Sequence, residues 1–184
     1  MPTLDLSDDT FQEAQCGDSG ALTRIYSTLA PTVVGYLRAR GATDPEGTMH
    51  DVFLAVLPRV GTVTGGMSGL RTLLFSVAHA RMVDEHRARA RRPASVSYDP
   101  QDDARTTRSA EQDAEVVLGA RRVREVLAVL PPDQREVLMF RFVADLSVEQ
   151  VAGVIGRSVG ATKQLQRRAL IALRTALASR HVSL

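Results

Sequence analysis

Apolar positions recur with helical spacing along most of the chain, and no stretch alternates in the manner of a strand. In LTRIYSTLA, Leu22, Ile25, Tyr26 and Leu29 fall at i, i+3, i+4 and i+7 on one helix face. Pro31 is expected to break that helix, with TVVGYLRAR continuing as a second short helix to Gly41. TDPEGTMHDVFLAVLPRV carries a start signal: Asp44 as N-cap and Pro45 at the first helical position, where a missing N–H costs nothing. Pro58 closes that helix. RVGTVTGGMSG holds four glycines in eleven residues and reads as a loop. From Leu70 a long helix follows, with Leu70, Leu73, Leu74, Val77 and Ala78 as its apolar face and arginines in its last turns, up to Pro93. Residues 93–112 are polar, proline-containing and almost free of aliphatic side chains. Helical patterning resumes in AEVVLGARRVREVLAVL and in PPDQREVLMFRFVA, whose leading prolines suit a helix start. SVEQVAGVI opens on a capping box, Ser147 with Gln150, and Ser158 caps a final helix to about Ala178. The pattern predicts an all-α protein of two small helical domains, 1–92 and 113–184, joined by a flexible linker at 93–112.

Composition agrees with small helical bundles. Of 184 residues 44% are hydrophobic but only 4% aromatic, without tryptophan, so the core must be built from Leu, Val, Ile and Ala. No apolar run approaches the ~18 residues of a membrane span, and MPTLDLSDDT is too acidic for a secretory signal. A cytoplasmic protein without membrane insertion is expected. The single Cys16 excludes an internal disulfide and a Cys-rich zinc site. His79, Asp84, Glu85 and His86 share one helix, but only the two histidines share a face, so a solvated surface is expected and no metal. No Ser-His-Asp order, phosphate-binding loop or dinucleotide fingerprint occurs. No catalytic residue, no enzymatic activity and no cofactor is expected.

Charge sharpens this picture. The net charge is only +2, yet residues 157–184 carry six basic and no acidic side chains. Residues 71–92 carry six and two, and between these patches residues 93–115 carry two and six. Two basic patches suggest two contacts with a polyanion; the plainer reading is solvated helix ends.

SVEQVAGVIGRSVGATKQLQRRALIAL favours the polyanion. A short helix, a turn at Gly156 and a longer helix give helix-turn-helix spacing. Val148, Val151, Ala152 and Ile155 pack the first helix, and Thr162, Leu165, Ala169 and Leu173 line one side of the second. Lys163, Gln164, Arg167 and Arg168 fall opposite. Free amides behind Ser158 suit a phosphate, cationic side chains suit guanine edges, and glutamine suits adenine. Arg157, Arg168 and Arg174 suit phosphates, which position the helix without specifying sequence.

LPPDQREVLMFRFVADLSVEQVAGVIGRSVGATKQLQRRALIALR, Leu130 to Arg174, resembles the C-terminal domain of bacterial extracytoplasmic-function sigma factors, of the sigma-70 family. GDSGALTRIY, DPEGTMHDVFLAV and LRTLLFSVAHARMVDEHRARARRP resemble the family's first domain, in order, so the likeness runs over about residues 10–178. It implies sigma region 2 in the first domain and sigma region 4 in the second. It also implies binding to core RNA polymerase (the β′ coiled coil and the β flap), recognition of promoter DNA, and an anti-sigma factor as a further partner. By resemblance Ser158, Lys163, Gln164, Arg167 and Arg168 meet the −35 element. Thr62, Thr64 and Ser68 belong to a loop that captures a flipped-out −10 base, with His79, Arg81 and Arg87 on the helix that follows the strand. His50, Asp51, Phe53 and Leu54 fall on the polymerase-binding helix. Four positions depart from the family: Leu73 stands at a usual Trp, Ala80 at an Asn, Gly47 at an acid and His50 at a Gln. No aromatic in 61–69 can stack on a captured base. The acidic linker residues Asp99, Asp102 and Asp103 read either as a nucleic-acid mimic or as a plain tether. The competing readings are a stand-alone helix-turn-helix regulator, which would not need the Asp44–Leu57 helix and its loop, and a helical protein-interaction module, which would show no promoter-dependent transcription.

Overall fold

The computed structural model describes residues 6–91 and 127–181. The linker expected at 93–112, with Asp99, Asp102 and Asp103, and the expected start of the second domain at 113 lie outside the described residues. Among the described residues every regular element is helical, as the hydrophobic spacing predicts.

The first half begins with α1, Asp8–Gln15, which the sequence pattern did not single out. Ser7 caps it, and it buries only Phe11 and Ala14. α2 runs unbroken over Ser19–Ala39, with Pro31 inside it. The expected break does not occur because Leu29, Ala30, Val33, Tyr36 and Leu37 are buried on either side of an exposed Pro31. Packing of that face outweighs the ~3 kcal/mol a mid-helix proline costs. α3, Pro45–Val56, starts where expected: the Asp44 carboxylate accepts from the Gly47 amide at 2.9 Å. It lies so close over Gly47 that a Cβ there would sit 2.1 Å from an Asp44 carboxylate oxygen, so a larger residue would have to shift the capping side chain. A 3-10 segment, Leu57–Thr62, leads toward α4, Gly66–Arg91.

The second half comprises α5, Pro132–Leu138, a single π turn at Met139–Val143, α6, Val148–Ile155, and α7, Val159–His181. Both arms of the Ser147–Gln150 capping box are formed. Gly156 ends α6 at φ 66°, a left-handed conformation that glycine adopts without penalty. Thr162 and Ala169 are fully buried under the second helix of the pair.

The two halves pack against each other. Phe140 of the π turn is fully buried, stacked on Tyr36 of α2 at 5.0 Å and edge-on to Phe75 of α4 at 6.1 Å. Beside this trio, Glu136 of α5 is drawn into the first half. Its Oε1 accepts from His79 Nδ1 at 2.8 Å and from the Tyr36 hydroxyl at 3.1 Å, and it faces Arg40 Nε at 3.4 Å. Burial alone would raise the Glu136 pKa, but the His79 and Tyr36 hydrogen bonds and the Arg40 charge hold it below the ordinary carboxylate range. Burial, with Glu136 adjacent, pushes the Tyr36 phenol far above its usual value, so it stays a neutral donor. Arg71 and Asp145 add an ion pair across the seam at 2.8 Å.

The sign of the Glu136 shift fixes a pH dependence. A carboxylate whose folded pKa is depressed contributes stability above its unfolded pKa and loses it as pH falls through the folded one. Thermal denaturation of the chain and of Glu136→Gln is therefore expected to differ by a constant amount above the unfolded carboxylate pKa of about 4.3, and the difference is expected to shrink as pH falls below it through the folded pKa. No difference between the two proteins at neutral pH, or one with no pH dependence over the whole acid range, would contradict this account of Glu136.

Candidate nucleic-acid interface

Two surfaces gather the residues that the sequence singles out. The first is α7. The Ser158 hydroxyl accepts from the Ala161 amide at 3.2 Å, and its carbonyl holds the Thr162 amide at 2.9 Å, so it caps the helix. Lys163, Gln164, Arg167 and Arg168 are all exposed, and hydrogen bonds at the start of α6, with the Lys163 charge nearby, hold the Glu149 carboxyl below its ordinary range. Lys163, Arg167 and Arg174 line a groove whose floor includes Val148, Gln166, Leu170 and Ile171. Gln166 and Arg141 of the π turn join this cationic groove, a placement the sequence spacing did not single out. Arg157, assigned to phosphate contact by sequence, pairs with Asp133 at 2.5 Å.

The second surface is the 3-10 segment with the loop after it. α1 holds it in place: Gln15 Nε2 donates to the Val60 carbonyl at 3.1 Å and the Val63 carbonyl at 3.0 Å. Asp8 Oδ1 accepts from the Met67 amide at 2.8 Å, capping the start of α4, so α4 begins at Gly66 rather than Leu70. Gly65 and Gly66 have φ of 83° and 65°, which L side chains rarely adopt. Gly69 lies against the loop so closely that a Cβ would come 1.9 Å from the Thr64 carbonyl oxygen. The result is an open cleft between Arg59, Thr62, Thr64 and the first turns of α4, with Thr72, Leu73 and Ser76 on its wall. Leu73, at the family's tryptophan position, thus borders the cleft rather than only filling the core. Thr62, Thr64 and Ser68 are exposed here.

Of the other assigned residues, Arg81 and Arg87 are exposed on α4, whereas His79 is turned into the seam against Glu136 and Phe140. In this arrangement His79 joins the two halves. On α3, His50, Asp51 and Leu54 are exposed, with Leu54 at 73%, an unusual exposure for a leucine. Phe53 is 2% exposed and packs edge-on against Tyr26 at 4.8 Å, so it fixes the helix from below and does not present itself to a partner. Among the described residues no group of three His, Cys, Asp or Glu side chains is disposed to hold a metal ion. No described helix is long and apolar enough to cross a membrane.

Residues 126–175 match the family Sigma-70, region 4. Over 169 residues the chain is 32% identical to the ECF RNA polymerase sigma factor SigD of Mycobacterium tuberculosis, covering 89% of this chain and 80% of the relative. The chain belongs to the ECF sigma factors. The fold of this sigma factor agrees with two solved structures. One is CnrH in complex with the cytosolic domain of CnrY, at TM-score 0.61, 21% identity and coverage of 95% and 99%. The other is the sigma factor RpoE in complex with the anti-sigma factor NepR from Bartonella quintana, at TM-score 0.59, 18% identity and coverage of 85% and 96%. At these identities the likeness speaks to the fold. The sigma factor's helix-turn-helix is thus region 4.

Proposed function

We propose that this sigma factor binds core RNA polymerase through region 2, residues 1–92, and directs it to promoters. α3 takes the polymerase, the cleft at 59–76 takes the −10 element, and α7 of region 4, residues 113–184, reads the −35 element as duplex. The linker at 93–112 spans between them. The observation that carries this reading is α7. It presents Lys163, Gln164, Arg167 and Arg168 to solvent on a helix anchored by buried Thr162 and Ala169. A helix in the major groove needs this mixture of cation and amide.

The physics of each surface fits its role. Leu54 with His50 and Asp51 gives α3 an apolar centre with a polar rim, the anatomy of a protein interface. The cleft offers hydroxyl and backbone groups to a base edge, and holding a base out of the stack requires such a site. Cationic side chains on α4 and α7 supply a phosphate attraction that weakens with salt. The protein is not itself an enzyme in this reading: it directs one. It acts in the cytoplasm, and an anti-sigma factor is a further partner, since both solved relatives named above are held by proteins of their own.

Co-purification with core polymerase tests the assignment of the surfaces. Leu54→Glu puts a charge at the centre of the α3 face and is expected to weaken core binding by about 2 kcal/mol or more, roughly thirtyfold. Alanine at Lys163 or Arg167 is expected to leave it intact. Equal loss in both kinds of variant would sink the division of labour between the two halves.

A further inference from the structure

His50 stands on the exposed face of α3, one turn before Leu54 and beside Asp51. Its Nδ1 lies 2.9 Å from the carbonyl oxygen of Glu46, four residues earlier. A carbonyl only accepts, so Nδ1 is the nitrogen that carries hydrogen, and the neutral ring keeps Nε2 as a bare lone pair. The Tyr26 ring of α2 lies 6.3 Å from the imidazole at 31°, and Phe53 backs Tyr26 at 4.8 Å. The imidazole is thus held in place by a backbone hydrogen bond and a ring contact.

The surface around it suits a basic partner. The charged side chains of α3 are Glu46 and Asp51, both acidic, and Leu54 is its exposed apolar side chain. Arg38 of α2 is paired with Glu46. Glu85 and Arg89 of α4 are bound to Thr43 and to each other ahead of the helix start, and Arg59 of the 3-10 segment lines the cleft. Acidic side chains, a lone-pair acceptor and one exposed leucine match a surface that offers cations and N–H donors around an apolar spot. Protonation of the imidazole reverses the sign at the middle of this face. Nε2 then brings a hydrogen where it brought a lone pair, and a positive charge meets the partner's cations. Neither hold on the ring is released: Nδ1 keeps its hydrogen, and an aromatic face attracts a cation. The new charge therefore stays on the interface.

We infer that His50 makes the docking of α3 on core polymerase proton-sensitive: the neutral ring accepts a hydrogen bond from the polymerase, and protonation replaces that bond with opposed donors and like charges. The inference rests on the reading of α3 as the polymerase-binding helix. It adds the hydrogen-bond polarity that this helix demands of its partner, and a regulation by pH. The sign follows from linkage. Bound polymerase holds the ring neutral, so affinity is full above the range in which a histidine gains its proton and is lost as pH falls through it. Acidification then reduces promoter-directed transcription with no change in either DNA-reading surface.

The test measures the dissociation constant of the full chain for core RNA polymerase between about pH 8 and about pH 6, the span over which histidines change charge. The chain carries a fluorophore on its single cysteine, the exposed Cys16, and is compared with His50→Gln and His50→Lys. It is expected to bind about three- to tenfold more weakly at the acid end, the worth of one hydrogen bond. Glutamine offers an acceptor that does not titrate, so the profile of His50→Gln is expected to be flat apart from the polymerase's own titration. Lysine is a permanent cation. His50→Lys is therefore expected to bind at the alkaline end as weakly as the chain does at the acid end, with the same profile as His50→Gln. Parallel profiles for the chain and His50→Gln, or His50→Lys binding as tightly as the chain at the alkaline end, would overturn the inference. Leu54→Glu separates that failure from failure of the reading beneath it. If this variant binds core polymerase as the chain does, α3 is not the polymerase face and the inference falls with it; if it loses binding while the His50 profiles stay parallel, only the role of His50 is removed.

Discussion

Phe140→Ala is expected to destabilise the chain by about 3–5 kcal/mol, the largest effect of any single truncation considered. Phe140 is fully buried, stacked on Tyr36 at 5.0 Å, edge-on to Phe75 at 6.1 Å, and 5.9 Å from the His79 ring. All three of these ring partners belong to the other half. The lost burial and the cavity act together, and the aromatic pairs add about 0.5–1.5 kcal/mol each beyond area. Because the ring sits in the seam, its loss should also separate the halves. Denaturant midpoints give the energy, and small-angle scattering gives the separation, read as a larger radius of gyration. A loss below about 1 kcal/mol, typical of a surface position, would mean that the ring is not wedged between the halves.

The double substitution Lys163→Ala with Arg167→Ala is expected to remove most −35 recognition. The two side chains lie one turn apart on the exposed face of α7 and line one groove. A bidentate base contact is worth about 1–3 kcal/mol and a phosphate contact lowers the salt slope by about 0.9. Together they should cost between about tenfold and a thousandfold in promoter affinity, with a shallower dependence on salt. The measurement is binding of holoenzyme to promoter fragments over a salt series. Unchanged affinity would move recognition to Gln164 and Arg168; unchanged slope would show that neither side chain touches phosphate.

What the sequence made legible was local. Asp44 with Pro45, the Ser147–Gln150 box, Gly156 and Ser158 each act within four residues, and each boundary appears where these residues place it. The face of α7 was legible for the same reason: Thr162 and Ala169 are apolar-side positions at helical spacing, and they are the buried ones. Pro31 misled because its penalty is local while the packing that overrides it is tertiary, from α1, α3 and α4. α1 was silent because eight residues with two buried side chains and three acids leave almost no pattern. The seam was illegible in principle. Glu136, four residues after the proline that starts α5, looks like an ordinary surface acid; its burial depends on Tyr36, Arg40 and His79, 57 to 100 residues away. His79 was placed with Arg81 and Arg87 because they share a helix, and only its partner on α5 shows that it turns into the seam. Gln150 read as half of a cap, which it is; its second partner, Ser68, is 82 residues off.

Transcription by reconstituted holoenzyme tests the central claim most directly. Core RNA polymerase, with and without this protein, is supplied with genomic fragments, and run-off products are mapped. The account predicts discrete transcripts that require the protein, that vanish with Leu54→Glu through loss of core binding, and that weaken with the Lys163 and Arg167 substitutions at unchanged core binding. Sequence-specific DNA binding by the protein alone, with no protein-dependent transcript from any fragment, would contradict it.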